Sequence, residues 1–135
     1  VRGIMMLTRR TARSLGVTNR VDPTQSIMGG AKYLKRLDNI VPADFREEDA
    51  TNYKLAAYNV GMGHMKDART LAKRLNYDPT IWRDLKEVLP LLSNPKYYRN
   101  LKYGYARGTE PVRYVDRILN YRSILEQKDI KSPSR

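Results

Sequence analysis

The chain has 135 residues, 41% hydrophobic and 30% charged, which fits one domain with a real core and is too apolar for disorder. With no cysteine and His64 as the only histidine, disulfides, thiolate chemistry and a multi-histidine zinc site are excluded, and no ligand cluster calls for a metal or an organic cofactor. The net charge of +12 draws the chain toward polyanions: nucleic acid, an anionic cell-wall polymer or an anionic membrane surface.

Ile4, Leu7 and Leu15 mark a first helix, with Gly16 as its stop. The stretch from Val1 to Leu7 runs into Arg9 and Arg10 and is too short for a signal peptide, and a start at Val1 points to a processed or truncated product. Asp22-Pro23 is a helix start, an N-cap acceptor followed by a residue suited to the first turn. Ile27, Ala31, Leu34 and Leu37 then share one face, and Gly29-Gly30 within that helix points to close helix packing or to backbone lining a cleft. After a polar connection over 42–48, Glu47, Glu48 and Asp49 read as an exposed acidic helix start, followed inward by Tyr53, Ala56, Ala57 and Val60.

Met65, Ala68, Leu71, Ala72 and Leu75 form the next stripe, ended by Asn76. Asp78-Pro79 repeats the start signal before Ile81, Trp82, Leu85, Val88 and Leu89, and Pro90 and Pro95 break the pattern. A last helix is expected from about Pro111 to Glu126, with Val112, Val115, Ile118, Leu119 and Leu125 inward, and residues 128–135 as a flexible tail after a domain of 1–127. The basic clusters Arg9-Arg10-Arg13 and Lys66-Arg69-Lys73-Arg74 read as solvated helix faces. No alternating strand pattern appears, no run is long and apolar enough for a transmembrane helix, and the expected fold is all-α, about six helices on short loops.

The most informative run is Leu55-Ala56-Ala57-Tyr58-Asn59-Val60-Gly61, where an apolar helix ends in a Tyr-Asn pair beside glycines 61 and 63. An amide and a phenol next to flexible backbone suit a ligand rich in hydroxyl and acetamido groups. Gly3-Ile4-Met5-Met6-Leu7-Thr8 lies upstream, and Glu110-Pro111-Val112-Arg113-Tyr114-Val115 lies downstream. In that order the three segments resemble the SLT-type lytic transglycosylases that cleave bacterial peptidoglycan, and the Met-Met form of the first resembles their membrane-bound F type. The resemblance covers most of the chain and implies a lysozyme-like helical domain.

It also implies substrate contacts at Met6, Thr8, Ala57, Tyr58, Asn59, Glu110 and Tyr114. Met6 stands where relatives carry a hydrogen-bonding amide, so that polar contact does not carry over. Tyr97, Tyr98, Tyr103 and Tyr105 form a dense aromatic stretch that reads equally as a sugar-stacking wall or as loop packing. The family's one catalytic glutamate, in a Glu-Ser pair, would lie upstream of Val1, so this chain alone is expected to lack activity. The implied partner is the peptidoglycan glycan strand rather than nucleic acid. The parent would be periplasmic, anchored to the outer membrane and fitted with an N-terminal solute-binding-like domain. Two other classes stay open: a noncatalytic glycan-binding or regulatory module, and a basic helical nucleic-acid-binding domain.

Overall fold

Asp22 opens the first described helix, its carboxylate accepting the Gln25 N–H at 2.9 Å while Pro23 takes the first turn. The computed structural model describes residues 13, 16, 18, 19, 21–39 and 41–131. The Gly3–Thr8 segment with Met6 and Thr8, the stripe of Ile4, Leu7 and Leu15, and positions 132–135 of the expected tail lie outside the described residues. Helix α1 is Pro23–Asp38. Gly29, Gly30 and Leu37 on it are buried and Tyr33 is half-buried, in keeping with close packing. Ala31 is exposed instead of inward, because it lies about 100° around the helix from Gly30.

Helix α2 (Glu47–Val60) is the centre of the fold and touches α1 and the three later helices α3, α4 and α6. Its acidic first turn complements the helix dipole. Glu47 and Glu48 are exposed as expected, but Asp49 is not simply solvated. Its Oδ1 accepts the Trp82 N–H at 2.9 Å and so satisfies an orphan donor at the start of α4. Tyr53, Ala56 and Ala57 are fully buried, and the Tyr53 hydroxyl donates to Met62 Sδ at 3.6 Å. Burial pushes the Tyr53 phenol up to about 12, against a smaller lowering by Arg69.

A single residue, Gly61 at φ 99° and ψ 148°, separates α2 from α3 (Met62–Arg74). Met65, Ala68, Leu71 and Ala72 bury the stripe of α3, and Asn76 at φ 63° follows its end. The basic cluster on this helix departs from a solvated face. Arg69 donates to the Pro79 carbonyl at 3.1 Å, pairs with Asp44 at 3.6 Å and lies over the Phe45 ring, while Arg74 donates to the Asn100 carbonyl at 3.0 Å. Both guanidinium groups brace loops, and Lys66 and Lys73 are exposed. Asp67, only 3% exposed, accepts the Tyr103 N–H at 2.8 Å and ties the later loop to α3.

Asp78-Pro79 makes a turn rather than an immediate helix: the Asp78 carboxylate accepts from the Thr80 N–H and hydroxyl at 2.8 and 2.6 Å. Helix α4 is Trp82–Val88, with Trp82, Leu85 and Val88 buried. Pro90 and Pro95 do not simply break structure. Pro90 sits in a 3-10 helix, Leu89–Ser93, and Pro95 opens the short α5, Pro95–Tyr98, capped by Asn94.

Helix α6 is Thr109–Lys131, longer at both ends than the expected Pro111 to Glu126. Val115 is buried and Val112 and Leu119 pack on the core, but Leu125 is 60% exposed rather than inward, since this helix outruns the core that would cover it. No strand occurs among the described residues, in agreement with the all-α expectation.

The entry to α6 is set by backbone on backbone. Ala106 N–H donates to the Leu92 carbonyl at 3.1 Å, and a Cβ added at Gly108 would lie 1.7 Å from the Leu89 carbonyl oxygen. Neither atom can be moved by a side-chain rotation. Gly108→Ala is therefore expected to destabilise the fold by about 1–3 kcal/mol or more, read as a lower urea midpoint at unchanged slope. Lys73→Ala, at an exposed position, should stay within about 0.5 kcal/mol, and equal midpoints for the two variants would contradict this packing.

Candidate active-site cleft

Tyr58 and Asn59 occupy the last turn of α2, and Glu110 and Tyr114 stand four apart on one face at the start of α6. The packing of these helices brings the two pairs together across more than fifty residues of chain. The Tyr58 and Tyr114 rings stack with centroids 6.1 Å apart and planes 10° from parallel. Tyr33 of α1 meets Tyr58 edge-on at 5.2 Å and 79°. Such pairs contribute about 0.5–1.5 kcal/mol beyond burial, so the row of three rings fixes the wall that it forms.

Burial drives the Tyr58 phenol well above its ordinary range, and neighbouring Tyr114 and Tyr33 push it further the same way. Burial also raises Tyr114, against a lowering by Arg117. Both hydroxyls stay protonated, as a phenol does near pH 7, and can donate as well as accept hydrogen bonds.

Beside this wall lies a pocket of about 330 Å³, lined by Asn59, Val60, His64, Tyr105, Ala106, Arg107 and Glu110. Asn59 is exposed, and its side chain makes no hydrogen bond with any described residue. It does not cap α2, because the helix end is made by Gly61, whose N–H donates to the Ala57 carbonyl at 2.9 Å. Ala57 itself is fully buried, and its carbonyl oxygen keeps one lone pair beyond that bond.

Glu110 sits in a fork between Arg107 and Arg113, each guanidinium 3.6 Å from Oε1. Exposed pairs of this kind add little stability; here they orient the carboxylate. Glu110 is the one carboxylate among the described residues lining this pocket.

Three contributors were missed by sequence reasoning. Tyr33 lies on another helix with no spacing signal that links it to Tyr58. Arg107 precedes the Glu110 segment by three residues. His64 follows Asn59 across the Gly61 junction, and its Nδ1 is buried without a partner in the structure. The tyrosine-rich stretch supplies one pocket-lining residue and several packing ones. Tyr105 lines the pocket with Tyr98 edge-on behind it at 5.8 Å, whereas Tyr97 packs on the core and Tyr103 lies against His64.

No group of described residues can hold a metal ion, and no described helix is long and apolar enough to cross a membrane. The polar groups that line the pocket are an amide, a phenol, an imidazole, a guanidinium and one carboxylate, which suits a polyhydroxylated and amide-bearing ligand.

Residues 1–81 match the family described as Transglycosylase SLT domain. The chain is 58% identical over 127 residues to membrane-bound lytic murein transglycosylase F 2 of Alkalilimnicola ehrlichii, covering 94% of this chain and 28% of that protein. It is 56% identical over 130 residues to membrane-bound lytic murein transglycosylase F of Maricaulis maris, covering 96% of this chain and 28% of that one. Against the protein of the same name from Pseudomonas putida the identity is 55% over 125 residues, covering 93% and 26%. The chain thus spans little more than a quarter of the length of the curated relatives it matches. A helical fold, a match over the first 81 residues and relatives at this identity converge on one assignment: the chain belongs to the SLT-domain transglycosylase family.

Proposed function

We propose that these residues are the glycan-holding part of a peptidoglycan lytic transglycosylase domain, which cleaves the β-1,4 bond between N-acetylmuramoyl and N-acetylglucosaminyl units and leaves a 1,6-anhydro end. The observation that carries this reading is the shared pocket of Asn59 and Glu110, with the Tyr58–Tyr114 stack beside it. An asparagine amide matches an acetamido group donor for acceptor, and phenol rings offer a flat apolar face to a sugar. In this reading Tyr58, Asn59, Glu110, Tyr114 and the Ala57 carbonyl hold the sugars that flank the scissile bond, together with Met6 and Thr8.

Ordinary glycosidases place two carboxylates on the bond. The reaction proposed here needs one, and the substrate supplies the rest. A protonated glutamic acid gives its proton to the glycosidic oxygen as the C1–O4 bond breaks, and the neighbouring acetamido oxygen shares the positive charge that develops at C1. The resulting carboxylate takes the proton of the muramoyl 6-hydroxyl while O6 bonds to C1, closing the anhydro ring without water. Asn59 would orient the acetamido group for the first step, and the neutral phenols would donate hydrogen bonds without competing as bases.

Glu110 fits a positioning role better than that of the acid, because it is only half-buried and is flanked by two guanidinium groups. The acid is then the family glutamate of the Glu-Ser pair, which has no counterpart in these 135 residues. The relatives' names support a membrane-attached parent acting on murein. A periplasmic location at the outer membrane and an N-terminal solute-binding-like domain complete the proposal.

The 135 residues by themselves should release no 1,6-anhydromuropeptides from sacculi. The same residues joined to the corresponding upstream segment of the Alkalilimnicola ehrlichii relative should release them. General acid–base catalysis is typically worth about 10²–10⁴-fold, so mass spectrometry of the soluble products separates the two cleanly. Comparable rates would overturn the assignment of the acid.

In the joined protein, Asn59→Ala should cut kcat/KM roughly ten- to a hundredfold, by loss of one or two hydrogen bonds in a site that sugar desolvates. Its urea midpoint should hardly move, since the Asn59 side chain is exposed and caps nothing in the described structure. Full activity with a lowered midpoint would return Asn59 to a purely structural part.

A further inference from the structure

At the opposite end of the same helix pair is a larger groove, of about 640 Å³, that the glycan site does not use. Helix α2 contributes Glu47, Glu48, Thr51 and Asn52, and α6 contributes Leu119, Arg122, Ser123 and Glu126 at helical spacing on one face. Asn52 lies seven residues before Asn59, which puts the two sites about 10 Å apart along α2. The volume falls within the roughly 300–1,000 Å³ common for small-ligand pockets.

Two features of the groove stand out. Asn52 is only 5% exposed, and its side-chain amide, which has no hydrogen-bond partner among the described residues, reaches the solvent of the groove. An amide that lines a groove in this state is poised for a partner that enters it.

The second feature is charge. Arg122 and Glu126 pair with each other at 3.2 Å and largely neutralise one another. Glu47 and Glu48 are exposed and form no ion pair among the described residues, so their negative charge is offset only by the helix terminus, on a chain of net +12. The Thr51 hydroxyl donates to the Glu47 carbonyl at 3.0 Å and so turns its acceptor lone pairs outward. The groove therefore offers acceptors in excess of donors: two carboxylates, two hydroxyl oxygens and the Asn52 carbonyl. No metal-holding cluster occurs among the described residues.

We propose that this groove binds an alkylammonium cation. An –NH3+ group has three donors and no acceptor. It can place one donor on the Asn52 carbonyl oxygen and the others on Glu47 and Glu48, while its methylene stem lies along Leu119. The overall positive charge of the chain repels small cations, so uptake of an amine would report this groove and not the bulk field.

The test is titration of the 15N-labelled 135-residue chain with 1,4-diaminobutane and, separately, with Nα-acetyl-lysine methylamide, using 1,4-butanediol as the uncharged control. Saturable shifts at residues 47–52 and 119–126, with a Kd of about 1 mM or tighter, are expected for at least one amine and not for the diol. Response to the diamine alone assigns a free diamine, and response to the lysine derivative assigns a peptide amine. Glu47→Gln/Glu48→Gln, at exposed positions that do not hold the core, should weaken binding at least tenfold, and Asn52→Ala severalfold. Shifts that do not saturate, that map elsewhere, or that persist unchanged in the Glu47→Gln/Glu48→Gln variant would overturn the proposal.

Discussion

Helix α2 stops at Asn59-Val60 because Gly61 takes φ 99° and ψ 148°, next to a region of backbone space that glycine alone populates readily. There is open space around a Cβ at this position, so the demand is one of backbone conformation and not of packing. A side chain there would cost on the order of 1–3 kcal/mol or force the chain to continue helically. Continuation would carry α3 away from its buried seat and turn Asn59 from a terminal turn into mid-helix. The junction is one residue long, so the direction of α3, the exposure of Asn59 and the entry of His64 into the pocket all follow from it.

The second constraint is aromatic. Tyr58 reaches sideways from the same turn to stack on Tyr114, with Tyr33 edge-on to it, and these contacts join α1, α2 and α6. Because Tyr114 and Glu110 are one helical turn apart, fixing the ring of one fixes the carboxylate of the other relative to Asn59. The loop that carries Tyr105 and Arg107 is held separately, by Asp67 on the Tyr103 N–H, by the Leu92 carbonyl on Ala106 and by the close approach at Gly108. Rigid elements thus supply the pocket-lining groups on one side, and a loop pinned through its backbone supplies those on the other. Such support is what a site needs if hydrogen bonds are to act on a developing charge without reorganisation.

Much of this was legible in the residues. The Asp22-Pro23 start, the buried stripes of Tyr53-Ala56-Ala57 and Met65 to Ala72, and the stop at Asn76 follow from capping chemistry and the 3.6-residue period. The period gives the phase of a face but not the extent of its partner, and Leu125 is exposed for that reason. Long-range polar ties carry no periodic signal, so Asp49 on Trp82, Asp67 on Tyr103 and Arg69 on Pro79 appear only in three dimensions. The coming together of Tyr58 with Tyr114 and of Asn59 with Glu110 was legible through their motif segments. Tyr33, His64 and Arg107 join it through packing alone.

The central claim is that Asn59 and Glu110 face one N-acetylated sugar. The most direct measurement is titration of the 15N-labelled chain with an oligomer of N-acetylglucosamine, following side-chain amides as well as backbone signals. The account predicts saturable changes at the Asn59 side-chain amide together with the backbone of residues 105–114, lost in Asn59→Ala. Changes confined to residues far from this pocket, or an Asn59 amide that does not respond while the oligomer binds, would contradict it.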